Sequence, residues 1–262
     1  MEQTPKSTIV LLSGGQDSTT CLYWALNKYN GDPKDILALS INYGQRHVLE
    51  LEAAEKVAQM AGVEHEVVTL PEGILGGTSP LVCGDDVGHY DSAEALPGGV
   101  EPTFVPARNA LFLTIAANRA GVRGAPTIVT GVCEEDYGGY PDCRQDYITH
   151  QAQTLSLALY GTLDGLRIDT PLMRLSKAES VRMAASLPGC WDALAYTHTC
   201  YDGQYPPVPH NHASILRGKG FKEAGESDPL IRRAIREGLL PRDYPEHGYV
   251  TGTQYALNKE QS

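Results

Sequence analysis

Apolar and polar positions along this chain follow two periods that alternate over most of its length. Short runs rich in β-branched residues, Thr8–Leu12, Ile36–Ile41, Glu64–Thr69, Thr127–Val132 and Arg167–Thr170, read as strands. Between the first two, Leu22, Ala25, Leu26 and Tyr29 recur at i, i+3, i+4 and i+7, which puts one apolar stripe on a helix. Leu51, Ala54, Ala58 and Ala61 repeat the stripe after the second strand, and Ile148, Ala152, Leu155 and Leu159 mark a more surface-like helix after the fourth. Arg108–Ala120 is apolar nearly all round, which predicts a buried helix. Ser176 followed three residues later by Glu179 is a capping box, starting a helix that runs to about Leu187. Strands alternating with helices predict an α/β fold, a parallel sheet with helices on both faces.

Two stretches depart from the pattern. Pro71–Pro106 carries seven Gly and five Pro with no convincing period, which reads as a long active-site or oligomer loop. From Gly189 onward the alternation stops: Tyr, Pro, His and Gly cluster through Tyr196–His212, and a helix is expected from Pro229 to Glu237. The expected organisation is therefore a nucleotide-binding α/β domain over 1–188 and a small C-terminal subdomain over 189–262, with a polar end from Thr251 that frays.

Composition narrows the class. Of 262 residues, 42% are apolar and 20% charged, the balance of a folded soluble protein. No apolar run reaches the roughly 18 residues of a membrane helix, and the start breaks into glycines too early for a signal peptide, so a cytoplasmic protein is expected. The net charge of −11 leaves no global basic field to hold a nucleic-acid backbone, which favours a small-molecule substrate over direct nucleic-acid binding. The six cysteines, Cys21, Cys83, Cys133, Cys143, Cys190 and Cys200, show no disulfide framework spacing and are expected to be thiols.

The sharpest chemical signal is Ser13-Gly14-Gly15-Gln16-Asp17-Ser18, directly after the first strand and directly before a helix. Glycines let the backbone turn its N–H groups inward, and the helix N-terminus adds partial positive charge, which together make an anion cradle. The Ser13 and Ser18 hydroxyls can add donors. No Lys closes the loop, so the pattern that handles a transferred γ-phosphate is absent. Gln45, Arg46 and His47 follow the second strand, where open parallel sheets bind ligands. Arg108 and Asn109 open the apolar helix and can point into the same cleft. Tyr137, Asp142 and Arg144 follow the fourth strand and suit a flat purine-like base, with an aromatic face, an acceptor for ring donors and a guanidinium for a carboxylate. Lys177, at the capped helix, can reach phosphate oxygens.

SGGQDS resembles the loop of the pyrophosphatase-loop adenylating superfamily, with its adenine nucleotide α-hydrolase-like fold. The resemblance implies that Ser13, Gly14, Gly15, Gln16, Asp17 and Ser18 hold ATP, that Asp17 helps place Mg²⁺ and that Ile41 and Asn42 lie beside adenine. A closer resemblance, over about residues 7–226, is to the 7-cyano-7-deazaguanine synthase family of the queuosine pathway. It rests on LSGGQDSTTCL, NYGQRH with Glu50, TFVPARNALFL, TGVCEEDYGGYPDCR and DTPLMRLSKAE, and it adds Gly131 to the nucleotide-binding set. It implies an ATP-dependent ligase, homodimeric, that turns 7-carboxy-7-deazaguanine and ammonia into the nitrile through adenylated acid and amide. Asp17, Lys177 and Arg108 are then the catalytic residues, and Gln45, Arg46, His47, Asn109, Tyr137, Asp142 and Arg144 bind the substrate. Two alternatives stay open: a relative that adenylates a tRNA base or a protein terminus, and a nucleotide-binding partner protein without catalysis.

Members of that family carry a structural zinc on four cysteines, of which only Cys200 is kept here. The other three positions fall on Val208, Asn211 and Ser214, so a four-thiolate site is excluded. His198, His210 and His212 crowd the segment, with Cys190 nearby, and imidazole is a good zinc ligand. A metal-free segment is the favoured expectation, and zinc on Cys200, His198, His210 and His212 the alternative.

Overall fold

The structure is a computed structural model that describes residues 4–28, 32–44, 49–77, 79–80, 88–96, 103–134, 139–199 and 203–251. Five strands, β1 (Thr8–Leu11), β2 (Ile36–Asn42), β3 (Glu64–Thr69), β4 (Thr127–Val129) and β5 (Arg167–Asp169), form one sheet in the order β3-β2-β1-β4-β5. Every pairing is parallel: Thr8 lies opposite Ile36 on one side and Thr127 on the other. The α/β expectation is met, and each expected strand is present to within three residues at its end.

Alternation along the strands sorts the core into two layers, because successive side chains point to opposite faces. Val10, Ile36, Ala38 and Val129 join one cluster, with Cys21 and Leu22 of α1 (Gln16–Lys28) and Ala54, Val57 and Ala58 of α2 (Leu49–Ala61). Their neighbours Ile9, Leu37, Leu39 and Ile128 join the other, with Leu113, Ala116, Ala117 and Ala120 of α3 (Arg108–Arg123) and Ile148 and Leu155 of α4 (Gln145–Tyr160). β3, at the edge, keeps charged Glu64 and Glu66 outward, ion-paired to Lys6, Arg123 and Arg119.

The expectation for Arg108–Ala120 needs correcting. Only one stripe of α3 is buried, at Leu113, Ala116, Ala117 and Ala120, while Thr114, Asn118 and Val122 are exposed. The helix covers the sheet as the outermost layer on that face, so its outer side needs no partner. The capping box holds: the Ser176 hydroxyl accepts from the Glu179 N–H and the Glu179 carboxylate from the Ser176 N–H, opening α5 (Lys177–Ser186).

Beyond Gly189 the chain forms α6 (Cys190–Leu194), α7 (His212–Ala224) and α8 (Pro229–Arg236). Helix α7 was not expected from the pattern. Cys190, Ala193, Leu194 and Phe221 pack into the same cluster as β1 and α1. The described end of the 71–106 loop packs on this segment: Tyr90 N–H donates to the His210 carbonyl at 2.8 Å, and Ala93 clusters with Ile215 and Tyr249. Among the described residues no helix is long and apolar enough to cross a membrane.

Candidate active site

The strand order places the switch in the direction of strand addition between β1 and β4, and the glycine-rich loop sits at the carboxyl end of β1 beside that point. Gly14 adopts φ +85°, and a Cβ on it would come within 2.3 Å of the Glu50 carbonyl oxygen and 2.8 Å of the Ala54 nitrogen. A glycine there lets α2 press against the loop. Gly131, leaving β4, stands close from the other side, its Cβ position 3.2 Å from Asp17 and Ser18 backbone atoms. The two serine hydroxyls brace the turn. They lie 3.0 Å apart, the Ser13 N–H donates to Ser18 Oγ at 3.2 Å, and the Gly15 N–H donates to Ser13 Oγ at 3.3 Å. Gln16, 5% exposed, opens α1, and among the described residues its Nε2 has no hydrogen-bond acceptor. Lys177 Nζ donates to Asp17 Oδ2 at 2.6 Å, so two charges far apart in sequence meet over the loop.

Around this loop opens a cavity of about 360 Å³. Of the expected residues, Ser13, Gly15, Gln16, Asp17, Ser18, Ile41, Arg108, Asn109, Gly131, Lys177, His198 and His212 line it. Gly14 faces α2 instead, and Asn42 turns away: its side chain accepts from the Gly44 N–H at 3.2 Å and its carbonyl from the Leu70 N–H at 2.7 Å. Asp142 and Arg144 are not in the lining either. Asp142 is 7% exposed and its Oδ2 accepts the Asn109 N–H at 3.2 Å, so it caps the start of α3 rather than facing the cavity. Arg144 is exposed, at the N-cap position of α4. Gln45, Arg46, His47, Tyr137 and Cys200 lie outside the described residues.

The cavity also draws in residues the sequence reading did not assign: Tyr43, Glu50, Phe112, Tyr140, Cys133, Cys143 and Arg217. Most belong to the quoted motif runs, and Phe112 follows Arg108 by one helical turn, which is the signal that could have found it. Tyr43 and Phe112 pair their rings at 5.3 Å, and Tyr140 pairs with Phe104 at 5.2 Å while its hydroxyl lies 2.7 Å from Thr103 Oγ1. Ala107, immediately before α3, adopts φ +58°, the sole non-glycine residue with positive φ among those described. That strained turn sets the direction in which Arg108 enters the cavity.

Electrostatics single out two acids. Burial pushes the Glu50 carboxyl up from its ordinary 4.5 to about 7, against the pull of the Arg108 guanidinium. Burial also raises the Tyr43 phenol, which Arg108 offsets as a neighbouring charge and hydrogen-bond donor. Asp17, by contrast, is held by Lys177.

Among the described residues the three histidines of this segment do not come together. His198 and His212 line the cavity, but His210 turns to the 71–106 loop, its Nδ1 3.2 Å from the Tyr90 carbonyl oxygen. Cys190 is fully buried in the core, its thiol pushed up to about 12, which is poor character for a zinc thiolate. Among the described residues no group of three or more His, Cys, Asp or Glu side chains could hold a metal ion. The three positions that lack the family's cysteines instead bond to one another. Asn211 Oδ1 accepts the Ser214 N–H at 2.8 Å as the N-cap of α7, and its Nδ2 lies 3.5 Å from the Val208 carbonyl oxygen.

Residues 7–225 match the family model described as Queuosine biosynthesis protein QueC. The 7-cyano-7-deazaguanine synthase of Gloeobacter violaceus is 48% identical over 86% of this chain and 95% of its own. That of Laribacter hongkongensis is 47% identical over 87% and 96%, and that of Chromobacterium violaceum 44% identical over 90% and 97%. With its glycine-rich loop at the β1–β4 switch point and relatives this similar over nearly their whole length, the chain belongs to the QueC family of queuosine biosynthesis proteins.

Proposed function

We propose that this chain is an ATP-dependent ligase that converts 7-carboxy-7-deazaguanine and ammonia to 7-cyano-7-deazaguanine in two rounds of adenylation. The observation that carries the reading is the braced, lysine-free phosphate loop sharing one cavity with the Lys177–Asp17 pair and Arg108. A carboxylate must lose both oxygens to become a nitrile. Adenylation makes each oxygen a leaving group: the acid attacks the α-phosphorus, ammonia displaces AMP to give the amide, and adenylation of the amide oxygen permits elimination to the nitrile.

The residues divide this work. Loop N–H groups and the N-terminus of α1 stabilise charge that develops on pyrophosphate as it leaves. Gln16 Nε2, buried without an acceptor among the described residues, fits a phosphate oxygen. Lys177 exchanges Asp17 for the triphosphate, and Asp17 then suits Mg²⁺, a hard ion that takes one or two carboxylates alongside phosphates. Bound there, Mg²⁺ would neutralise charge on the triphosphate oxygens. Arg108 faces the substrate carboxylate, and the Tyr43 and Phe112 rings offer a flat apolar wall for the deazaguanine. Asp142 acts at one remove, by holding the first turn of α3 and so the aim of Arg108 and Asn109. Cytoplasmic work as a homodimer, without membrane or direct nucleic-acid contact, belongs to the same reading.

The test is Asp17→Asn assayed for both half-reactions. Because each adenylation passes through the same phosphate geometry, acid-to-amide and amide-to-nitrile conversion should each fall by about 10²-fold. Loss of one round with the other at the parent rate would contradict a shared site.

A further inference from the structure

Resting on the two-round reading above, the nitrogen chemistry poses its own demand. Ammonia arrives with three hydrogens, the nitrile keeps none, and each leaves nitrogen as a proton, so the cavity needs an acceptor beside the adenylated carbon. Among the described residues, the lining holds four carboxylate or imidazole side chains that can accept a proton: Asp17, Glu50, His198 and His212. Asp17 is tied to Lys177 at 2.6 Å. His198 and His212 stand with Arg217 on the α7 side of the loop. Glu50 differs from all three. It sits in the first turn of α2 with its carbonyl pressed on Gly14, so its backbone is fixed against the phosphate loop, and its side chain opens on the cavity beside Arg108 and Tyr43.

We propose that Glu50 is the catalytic base of the nitrogen steps. In the first, the ammonia lone pair attacks the acyl-adenylate carbon, Glu50 takes one N–H proton, and the C–O electron pair leaves with AMP to give the amide. In the second, Glu50 takes one amide N–H proton as the amide oxygen attacks the α-phosphorus and pyrophosphate leaves, giving the O-adenylated imidate with one N–H. In the last step Glu50 takes the remaining N–H proton, that electron pair becomes the third C–N bond, and the C–O pair leaves with AMP. Between steps the carboxyl returns its proton to solvent. The charged and titratable groups facing Glu50 among the described residues are Arg108 from α3 and Tyr43 from the turn after β2. A carboxyl raised by burial to about 7 both accepts and returns protons at neutral pH.

The experiment compares parent, Glu50→Gln and Glu50→Asp with ATP, 7-carboxy-7-deazaguanine and ammonium chloride from about pH 6 to about pH 9 at fixed free ammonia, counting amide, nitrile and AMP by mass spectrometry. The parent rate should rise through about pH 7 and level. Glu50→Gln should lose about 10²-fold near neutrality, lose that rise, and release more AMP per nitrile as adenylate hydrolyses unproductively. Glu50→Asp should restore part of the rate and the rise. A Glu50→Gln enzyme with the parent pH profile overturns the assignment, as does one whose sole change is a higher KM for the deazaguanine, which would make Glu50 a reader of the ring. A parent that forms neither amide nor nitrile removes the two-round reading and this inference with it, whereas an active parent beside an unaltered Glu50→Gln removes this inference alone.

Discussion

Glu50 gives its environment a measurable signature apart from catalysis. Its carboxyl is raised from 4.5 to about 7 in the folded chain, so between those values the native state holds a proton that the unfolded chain has released. Stability therefore falls as pH rises through that window, and the cost, roughly 3 kcal/mol, is fully present above it. Glu50→Gln should raise the Tm relative to the parent at about pH 8 and leave it nearly unchanged at about pH 4. Thermal unfolding of the two proteins across that range checks the sign, and an equal difference at both ends would show that the carboxyl is not buried as described. At this scale much of the cavity lining was legible: Ser13, Gly15–Ser18, Arg108, Asn109 and Lys177 are residue types that stand out, and all of them line the cavity. The position of Asp142 could not be read, because sequence shows that a carboxylate follows β4 but not that a backbone N–H on α3 reaches it. Glu50 went unassigned because an acid in an amphipathic helix looks like surface until burial is known.

Strands and the first helices could be read because each presents a simple period to one layer of core. Helix α7 could not. Its glycines look like breakers, yet Gly220 permits close approach, since a Cβ on it would come within 2.8 Å of the Lys177 side chain. Its Arg217 is buried where a stripe would carry an apolar residue. That arginine holds Asp228 with two bonds, of 2.6 and 2.8 Å, and donates to the Thr197 and Thr199 hydroxyls, both at 2.7 Å. Asp228 in turn caps α8 through the Leu230 N–H at 2.9 Å. With both partners almost fully buried, removing one leaves an uncompensated charge. Asp228→Ala should cost about 3–5 kcal/mol in urea unfolding, far more than a surface pair. The account further expects substoichiometric zinc in protein purified without added metal or a histidine tag, because the Asn211 cap and this ion pair order the segment. A full equivalent of zinc, lost together with Tm in Cys200→Ser, would reverse that expectation.

At the scale of the molecule, the order β3-β2-β1-β4-β5 explains why residues from every third of the chain meet in one place. Loops leaving β1, β2 and β4 emerge at the same edge, α3 adds Arg108 from the opposite face, and α5 and α7 bring Lys177 and Arg217 over the phosphate loop. With a net charge of −11, the proposed anion binding rests on aimed donors rather than a diffuse field, a role for which the loop N–H groups, Lys177 and Arg108 are proposed. The alternation of strands and helices made the α/β class readable. The convergence was not, because it depends on which strand lies beside which, and strand order leaves no local mark in the sequence. The central claim, adenylation twice at one site, is tested most directly by incubating the pure protein with ATP, ammonium and 7-carboxy-7-deazaguanine and quantifying all products by mass spectrometry. The account predicts 7-cyano-7-deazaguanine with two AMP and two pyrophosphate per nitrile, and ADP and phosphate as the direct products would contradict it.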